Sequence, residues 1–131
     1  MERTAVNPWD WSQKMGFHQG EIITGGTRLL NVAGQTACDE TGAPQCAGDM
    51  RGQIALALDN LEAVIAGADM TLGQITKLGI YTTDIEEALK NFDLMGMRFG
   101  PHGVKPPMTL LGVSQLALPD LMFEIEATAV A

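Results

Sequence analysis

The C-terminal segment, residues 108–131 (MTLLGVSQLALPDLMFEIEATAVA), constrains the fold more than any other part of this sequence. Its second half alternates between two kinds of side chain, which is the period of a β-strand with one buried face. The buried face is predicted to consist of Leu121, Phe123, Ile125, Ala127 and Ala129. The other face carries Met122, Glu124, Glu126 and Thr128. Carboxylates among apolar neighbours are costly unless they meet water, a donor or a partner subunit, so chemistry is expected on this second face.

The segments before it predict further strands and two helices. Residues 1–20 read as an irregular arm, and Gly25-Gly26 between two apolar runs predicts a hairpin. Residues 49–68 have the period of an amphipathic helix, with Asp49 as its cap. Residues 75–81 predict a strand that has Ile75, Lys77, Gly79 and Tyr81 on one side.

A second helix is predicted between that strand and the C-terminal segment. Its capping pattern is either Thr83 with Glu86 or Asp84 with Glu87. Its core stripe runs through Ile85, Leu89, Phe92, Met95 and Phe99. Gly100-Pro101 is expected to end it, and Leu118-Pro119-Asp120 is expected to be the turn between the last two strands.

This order of elements predicts an α+β domain in which two helices cover one face of a sheet. Residues 1–131 are expected to form a single domain. The uncovered face is expected to be largely apolar, through Met108, Leu110 and Met122, and an exposed apolar face favours self-association.

Charge and composition exclude several classes of function. Sixteen acidic residues against eight basic ones give a net charge of −8, and binding to nucleic acid needs clustered Lys and Arg. No apolar run reaches the roughly 20 residues that span a bilayer, and no signal-peptide segment is evident. A cytoplasmic location is therefore expected. Free thiols are expected at Cys38 and Cys46, although a disulfide across that loop stays open.

Several short motifs resemble the Rid family (RidA/YjgF, the reactive intermediate imine/enamine deaminases, also labelled L-PSP endoribonucleases). They are GFHQG at 16–20, AGQT at 33–36, ALDNLEAV in the first helix, GIYTTD at 79–84, and LGV, LALP and EIEATAVA near the C-terminus. The resemblance implies a chorismate-mutase-like fold with a mixed β-sheet. It also implies a homotrimer whose ligand clefts lie between subunits.

The resemblance further implies roles for particular residues. Glu124 matches the family Glu that is associated with the catalytic water and with proton transfer. Many members use an Arg on the penultimate strand to hold a substrate carboxylate, but this chain has Met108 or Thr109 there, depending on how the strand is aligned. The other expected substrate-binding residues are Phe17, Ala33, Gly34, Tyr81 and Asn91.

Two functions follow as alternatives. One is a hydrolase acting on an imine, an enamine or a related reactive intermediate, with Glu124 as the acid/base and no Arg for a substrate carboxylate. The other is a non-catalytic trimer that binds a small ligand. No cofactor and no metal site are expected, and the acidic charge argues against ribonuclease activity. Apolar neighbours and the charge of Glu126 are expected to raise the pKa of Glu124, and Glu126 is expected to be structural.

Overall fold

The computed structural model describes all residues, 1–131, as two sheets and four short or medium helices. In chain order the elements are β1 (Glu2–Val6), α1 (Trp11–Lys14), β2 (Gly20–Thr24), β3 (Leu29–Thr36), α2 (Met50–Gly67), β4 (Ile75–Thr82), α3 (Ile85–Leu89), α4 (Asp93–Phe99), β5 (Met108–Gly112) and β6 (Phe123–Val130). One-turn 3₁₀ helices at Leu72–Gln74 and Gly100–His102 precede β4 and follow α4. No helix is both long and apolar enough to cross a membrane.

The main sheet has the strand order β3-β6-β4-β5, so β6 lies in its interior. β6 pairs antiparallel with β3 and β4, whereas β4 and β5 are parallel, which makes the sheet mixed. The predicted alternation of β6 is confirmed, since Phe123, Ile125, Ala127 and Ala129 are all buried. These side chains pack against α2, which covers one face of the sheet.

Helix α2 forms as its sequence pattern predicts. The carboxylate of Asp49 accepts a hydrogen bond from the Gly52 N–H at 2.9 Å and so caps the helix start. Its buried stripe contributes most of the helical half of the core through Met50, Ile54, Ala57, Leu58, Leu61 and Ile65. Burial of this stripe, rather than helix propensity, is the main source of the stability of such a helix.

The N-terminal predictions are wrong in two respects. The arm contains a strand and a helical turn, because β1 pairs antiparallel with β2 from Glu2↔Thr24 to Val6↔Gly20. The predicted hairpin across Gly25-Gly26 does not form, since β2 belongs to this two-stranded sheet and β3 pairs with β6 in the other. A strand can pair along either of its two edges. Here β2 pairs with β1 and β3 pairs with β6, so β2 and β3 do not pair with each other.

The predicted second helix is divided into α3 and α4. Asp84 caps α3 by accepting from the Glu87 N–H at 3.1 Å, so the Asp84 alternative is the one that forms. After Leu89 the backbone bonds shorten to i−3, from Asn91 N to Ala88 O and from Phe92 N to Leu89 O. This 3₁₀-type geometry breaks the α-helical ladder and leaves Leu89 half exposed, outside the core stripe.

The last two strands are not neighbours. β4 lies between β5 and β6, so Leu118-Pro119-Asp120 belongs to a longer connection that crosses the sheet rather than to a turn of a hairpin. The pairs Leu78↔Met108 and Ile80↔Leu110 put Met108 and Leu110 on the helix-covered face, where both pack against the core. The expectation of an apolar uncovered face made by these two residues is therefore wrong.

The uncovered face of the main sheet is mostly polar, and we call it the open face. Its residues alternate with the buried ones on each strand: Asn31 on β3, Glu124, Glu126 and Thr128 on β6, Lys77, Gly79 and Tyr81 on β4, and Thr109 and Leu111 on β5. Ile75 was predicted on the same side as Lys77, but an irregularity between these residues turns Ile75 into the core.

Candidate functional site

Glu124 lies near the centre of the open face, between Thr36 of β3 and Tyr81 of β4. The register of β3 shifts between Val32 and Gln35, and this irregularity brings Gly34 beneath the Glu124 side chain. A Cβ atom at Gly34 would lie 2.6 Å from Oε1 of Glu124, which is closer than real atoms approach. Glycine at this position therefore allows the Glu124 carboxyl to fold down onto the β3 backbone.

Glu126 occupies a similar position over β4. It pairs with Gly79, where an added Cβ would lie 2.7 Å from the Glu126 carboxylate oxygen. The Tyr81 hydroxyl donates a hydrogen bond to that carboxylate at 2.7 Å. This bond, with burial and the charges of the two glutamates, raises the pKa of Tyr81, so the phenol stays protonated and remains a donor.

Glu124 has no such partner, because its carboxyl group takes part in no hydrogen bond or ion pair with the rest of the chain. Burial of this half-buried side chain, and secondly the negative charge of Glu126, raise the pKa of Glu124. The predicted direction of the shift is thus confirmed. The expectation that Met108 and Leu110, on the uncovered face, would be apolar neighbours of Glu124 is wrong, since those residues lie on the other face of the sheet.

A polar recess of about 380 Å³ opens beside Glu126 on the open face. Its polar lining comes from Asn31, Lys77, Tyr81, Thr109, Glu126 and Thr128. Lys77 is the only cation in the recess, and it forms no ion pair. The recess therefore offers one positive charge, one carboxylate and several hydroxyl and amide groups, which suits a small polar molecule.

The structure gathers some of the predicted substrate-binding residues and separates others. Gly34, Tyr81 and Thr109 share the open face with Glu124, and Ala33 is exposed on the irregular part of β3 beside Gly34. Met108 points to the opposite side of β5. Of the two alignments of the family Arg position, only Thr109 has its side chain on the same face of the sheet as Glu124.

Asn91 and Phe17 are placed by other contacts. The Asn91 side chain donates to the Glu87 carbonyl at 2.9 Å, in the break between α3 and α4. Phe17 packs edge-on against Trp11, with the ring centroids 6.0 Å apart. Neither residue lines the recess on the open face of the single chain. The resemblance placed them in a cleft between subunits, so their joining Glu124 in one site stays a prediction.

All four arginines are engaged away from the open face. Arg51 pairs with Asp93, and Arg98 pairs with Asp59 and Glu62. The other two bind main-chain carbonyl groups, Arg28 that of Ala68 and Arg3 those of Gly73 and Ile75, and Arg3 also pairs with Glu21. No guanidinium group is left to hold a substrate carboxylate on this face. No group of three or more His, Cys, Asp or Glu side chains could hold a metal ion.

Four polar residues of the recess were not predicted as site residues from the sequence. Asn31, Lys77, Glu126 and Thr128 line it, although Glu126 was expected to be structural and the other three had no predicted role. The strand period was a usable signal, since Lys77 lies two residues from Gly79 and four from Tyr81 on the same side of β4. What the sequence lacked was the pairing that brings these residues beside Glu126.

Comparison with known proteins agrees with this fold. The family model described as Endoribonuclease L-PSP matches residues 16–131. RutC family protein YjgH of Escherichia coli is 32% identical over 129 residues, which cover 98% of this chain and 95% of that one. The crystal structure of YyfB from Yersinia pestis, a Rid family protein, superposes with a TM-score of 0.88 at 29% identity and full coverage of both chains.

A third relative is TdcF of Escherichia coli, named as a candidate reactive intermediate deaminase. It is 31% identical over 104 residues, or 78% of each chain. Its crystal structure with bound serine superposes with a TM-score of 0.69 at 26% identity, covering 97% of this chain and 91% of that one. The chain belongs to the Rid (YjgF) family.

Proposed function

We propose that the protein hydrolyses the C=N bond of a small imine, or of an enamine through its imine tautomer, with Glu124 as the general acid/base. The proposal rests on the surroundings of the Glu124 carboxyl group. Its carboxyl group is half-buried, has no partner, and has its pKa raised by burial and by Glu126. A carboxyl group with a pKa shifted toward neutral can both accept and deliver a proton in one catalytic cycle.

The reaction starts from the imine protonated on nitrogen and needs three proton transfers. In the first, the Glu124 carboxylate accepts a proton from a water molecule as the water oxygen adds to the iminium carbon, and a neutral carbinolamine forms. In the second, the protonated Glu124 gives its proton to the carbinolamine nitrogen. In the third, the C–N bond breaks as the hydroxyl proton passes to the departing ammonia, which leaves the carbonyl product, an ammonium ion and the Glu124 carboxylate.

Tyr81 and Glu126 support this role from the neighbouring positions. The Tyr81 hydroxyl donates a hydrogen bond to Glu126, whose negative charge helps to raise the pKa of Glu124. The neighbouring charge makes the Glu124 carboxylate a stronger base toward water and raises the fraction of Glu124 that carries a proton for the leaving nitrogen.

The substrate is proposed to lack a carboxylate next to the C=N group. A bidentate Arg is the strongest holder of such a carboxylate. Of the two residues that align with that Arg, Met108 packs against the core and Thr109 lies on the open face. Lys77 is the nearest alternative cation in the recess, but an ammonium group offers a point charge without the two-point geometry. The bound serine in TdcF supports a small polar ligand in a relative.

The assembly is proposed to be a homotrimer with clefts between subunits, in the cytoplasm, where Cys38 and Cys46 stay free thiols. Leu29 and Leu111, at the margins of the open face, are 63% and 49% exposed in the single chain and would gain burial by association. Light scattering should give about three times the subunit mass of 14.0 kDa. A stable monomer at micromolar concentration would contradict the trimer and the shared clefts.

The test of catalysis compares two isosteric variants on a panel of imines. Imines are generated in the cuvette by an amine oxidase, without a carboxylate, or by an amino-acid oxidase, with one. Their decay is followed by trapping with semicarbazide. Glu124→Gln should remove the acceleration, about 10²- to 10⁴-fold, while Glu126→Gln should keep part of it. Full activity of Glu124→Gln would overturn the acid/base assignment.

A second pair of variants tests how a substrate carboxylate is held. Thr109→Arg brings a guanidinium group onto the open face and should speed the hydrolysis of 2-iminopropanoate. Met108→Arg, one residue away, should not, because its side chain faces the core side of β5. Brisk wild-type turnover of 2-iminopropanoate would contradict the proposed substrate preference.

The alternative function is a trimer that binds a small ligand without turnover. The absence of a guanidinium group on the open face favours it, since the two residues that align with the family Arg position are Met108 and Thr109. Saturable binding of a panel imine or its carbonyl product, with no acceleration by the wild type, would establish this alternative.

A further inference from the structure

A second cavity of about 380 Å³ lies on the other side of β5 from Thr109, and we call it the α4 pocket. It is bounded by α4, by the loop of residues 100–106 and by the C-terminal end of α1. Its apolar wall consists of Phe92, Met95, Phe99, Val104 and Met108. No residue of the polar recess on the open face takes part in it, so the two cavities are distinct.

Glycines keep the α4 pocket open. Gly96 and Gly100 both line it, and a Cβ at either position would meet no heavy atom within 4 Å. Gly96 lies within α4, and Gly100 also has helical angles (φ −51°, ψ −48°), so the backbone does not demand glycine at either position. Glycine is among the poorest helix formers, and its use here leaves space where any other side chain would project.

The charge of the α4 pocket is opposite to that of the protein. The chain has a net charge of −8, yet no Asp or Glu lines this cavity, whereas Lys14 and Lys105 do. Neither lysine forms an ion pair. The segment after α1 is joined to the loop that carries Lys105 by a hydrogen bond of 2.9 Å from the His18 N–H to the Lys105 carbonyl, which fixes that loop.

We propose that the α4 pocket binds a small carboxylic acid with an apolar body, such as a medium-chain or aryl-substituted alkanoate. The rings and thioethers of α4 would contact the body, and Lys14 and Lys105 would face the carboxylate at the rim. A volume of about 380 Å³ accommodates a ligand of about ten non-hydrogen atoms with room for water. The proposal does not depend on imine hydrolysis, which uses the open face.

The test is isothermal titration of the full-length protein with octanoate, octanamide and acetate. A ligand of this size in a partly open pocket is expected to bind with a Kd of about 0.2 mM. Octanoate should therefore saturate, acetate should not bind because it lacks the apolar body, and octanamide should bind at least about fivefold more weakly because it lacks the charge.

Variants distinguish octanoate binding in the α4 pocket from non-specific binding elsewhere on the protein. Gly96→Leu fills the cavity from a helical position and should raise the Kd of octanoate at least about tenfold. Met97→Leu, on the same helix but 65% exposed, is the matched control and should leave the Kd unchanged. Gly100→Leu is the second blocking variant and is used if Gly96→Leu fails to fold, as judged by circular dichroism.

The charge is tested with the double variant Lys14→Gln, Lys105→Gln. It should bind octanoate and octanamide equally, with the preference for the anion lost. The proposal is overturned if the wild type shows no saturable octanoate binding up to 10-fold above the expected Kd. It is equally overturned if a folded blocking variant binds octanoate like the wild type, or if octanamide binds the wild type as tightly as octanoate does.

Discussion

Replacing Gln53 by Met should cost the protein a large part of its stability. Gln53 is fully buried in α2, and its amide group joins the helix to the connection that leads into β6. Its Nε2 donates to the Asp120 carbonyl at 2.8 Å and to the Cys46 carbonyl at 3.2 Å. Its Oε1 accepts from the Met122 N–H at 2.8 Å, two residues before Glu124.

The magnitude follows from these three bonds. Met has about the same length as Gln but no polar atoms, so the variant keeps the packing and loses all three interactions. Each contributes about 1 kcal/mol net, which gives about 3 kcal/mol, and the unpaired backbone groups could increase the loss to about 5 kcal/mol. For a chain of 131 residues, 3 kcal/mol corresponds to a fall in Tm of about 11 °C.

Urea unfolding at matched protein concentration measures the change, because the stability of an oligomer depends on concentration. Gln45→Met is the control: Gln45 is exposed, its side chain donates two bonds of 3.2 Å, and its loss should cost less than about 0.5 kcal/mol. A loss below about 1 kcal/mol for Gln53→Met would refute the reasoning. It would show that the hydrogen bonds from the Thr82 hydroxyl and the Thr83 N–H to the Met122 carbonyl are sufficient to hold this segment.

Three further predictions concern single groups. Glu126→Gln removes the like charge and should lower the pKa of Glu124 without restoring its ordinary value, since burial is the larger cause; NMR titration of ¹³C-labelled glutamate measures this. The raised pKa of Glu124 means that its ionised carboxyl group destabilises the folded state. The change that Glu124→Gln causes in the free energy of unfolding, measured in urea, should therefore be more stabilising at pH 7 than below about pH 4. Ser12→Ala should stabilise by about 1 kcal/mol in thermal unfolding, since the Ser12 hydroxyl is buried without a partner, whereas Thr82→Val should destabilise by at least that amount.

Local patterns in the sequence determined the elements whose stability is local. The alternation of residues 121–129 gave the buried face of β6, and the helical stripe after Asp49 gave the core face of α2. The side chains of Asp49 and Asp84 cap their helices because each has a free N–H three residues ahead, which depends only on nearby residues. The motifs of residues 16–131 were also sufficient to recognise the family.

Strand partners could not be derived in this way. Strands pair through backbone groups that every residue possesses, so an apolar run does not specify its neighbour. Only the folded chain decided that β2 pairs with β1 and that β4 separates β5 from β6. Because of these pairings the predicted hairpins do not form, and Met108 and Leu110 lie on the face of the sheet opposite to Glu124.

The site depended on the same long-range choices. A shift of one residue turns every side chain of a strand to the other face, so the choice between Met108 and Thr109 awaited the pairing of Gly79 with Thr109. The strand period placed Glu124 and Glu126 on one face but did not show how their hydrogen-bond partners differ. The tertiary structure shows this difference, because the hydroxyl of Tyr81 on the adjacent strand donates to Glu126 and leaves Glu124 without a donor.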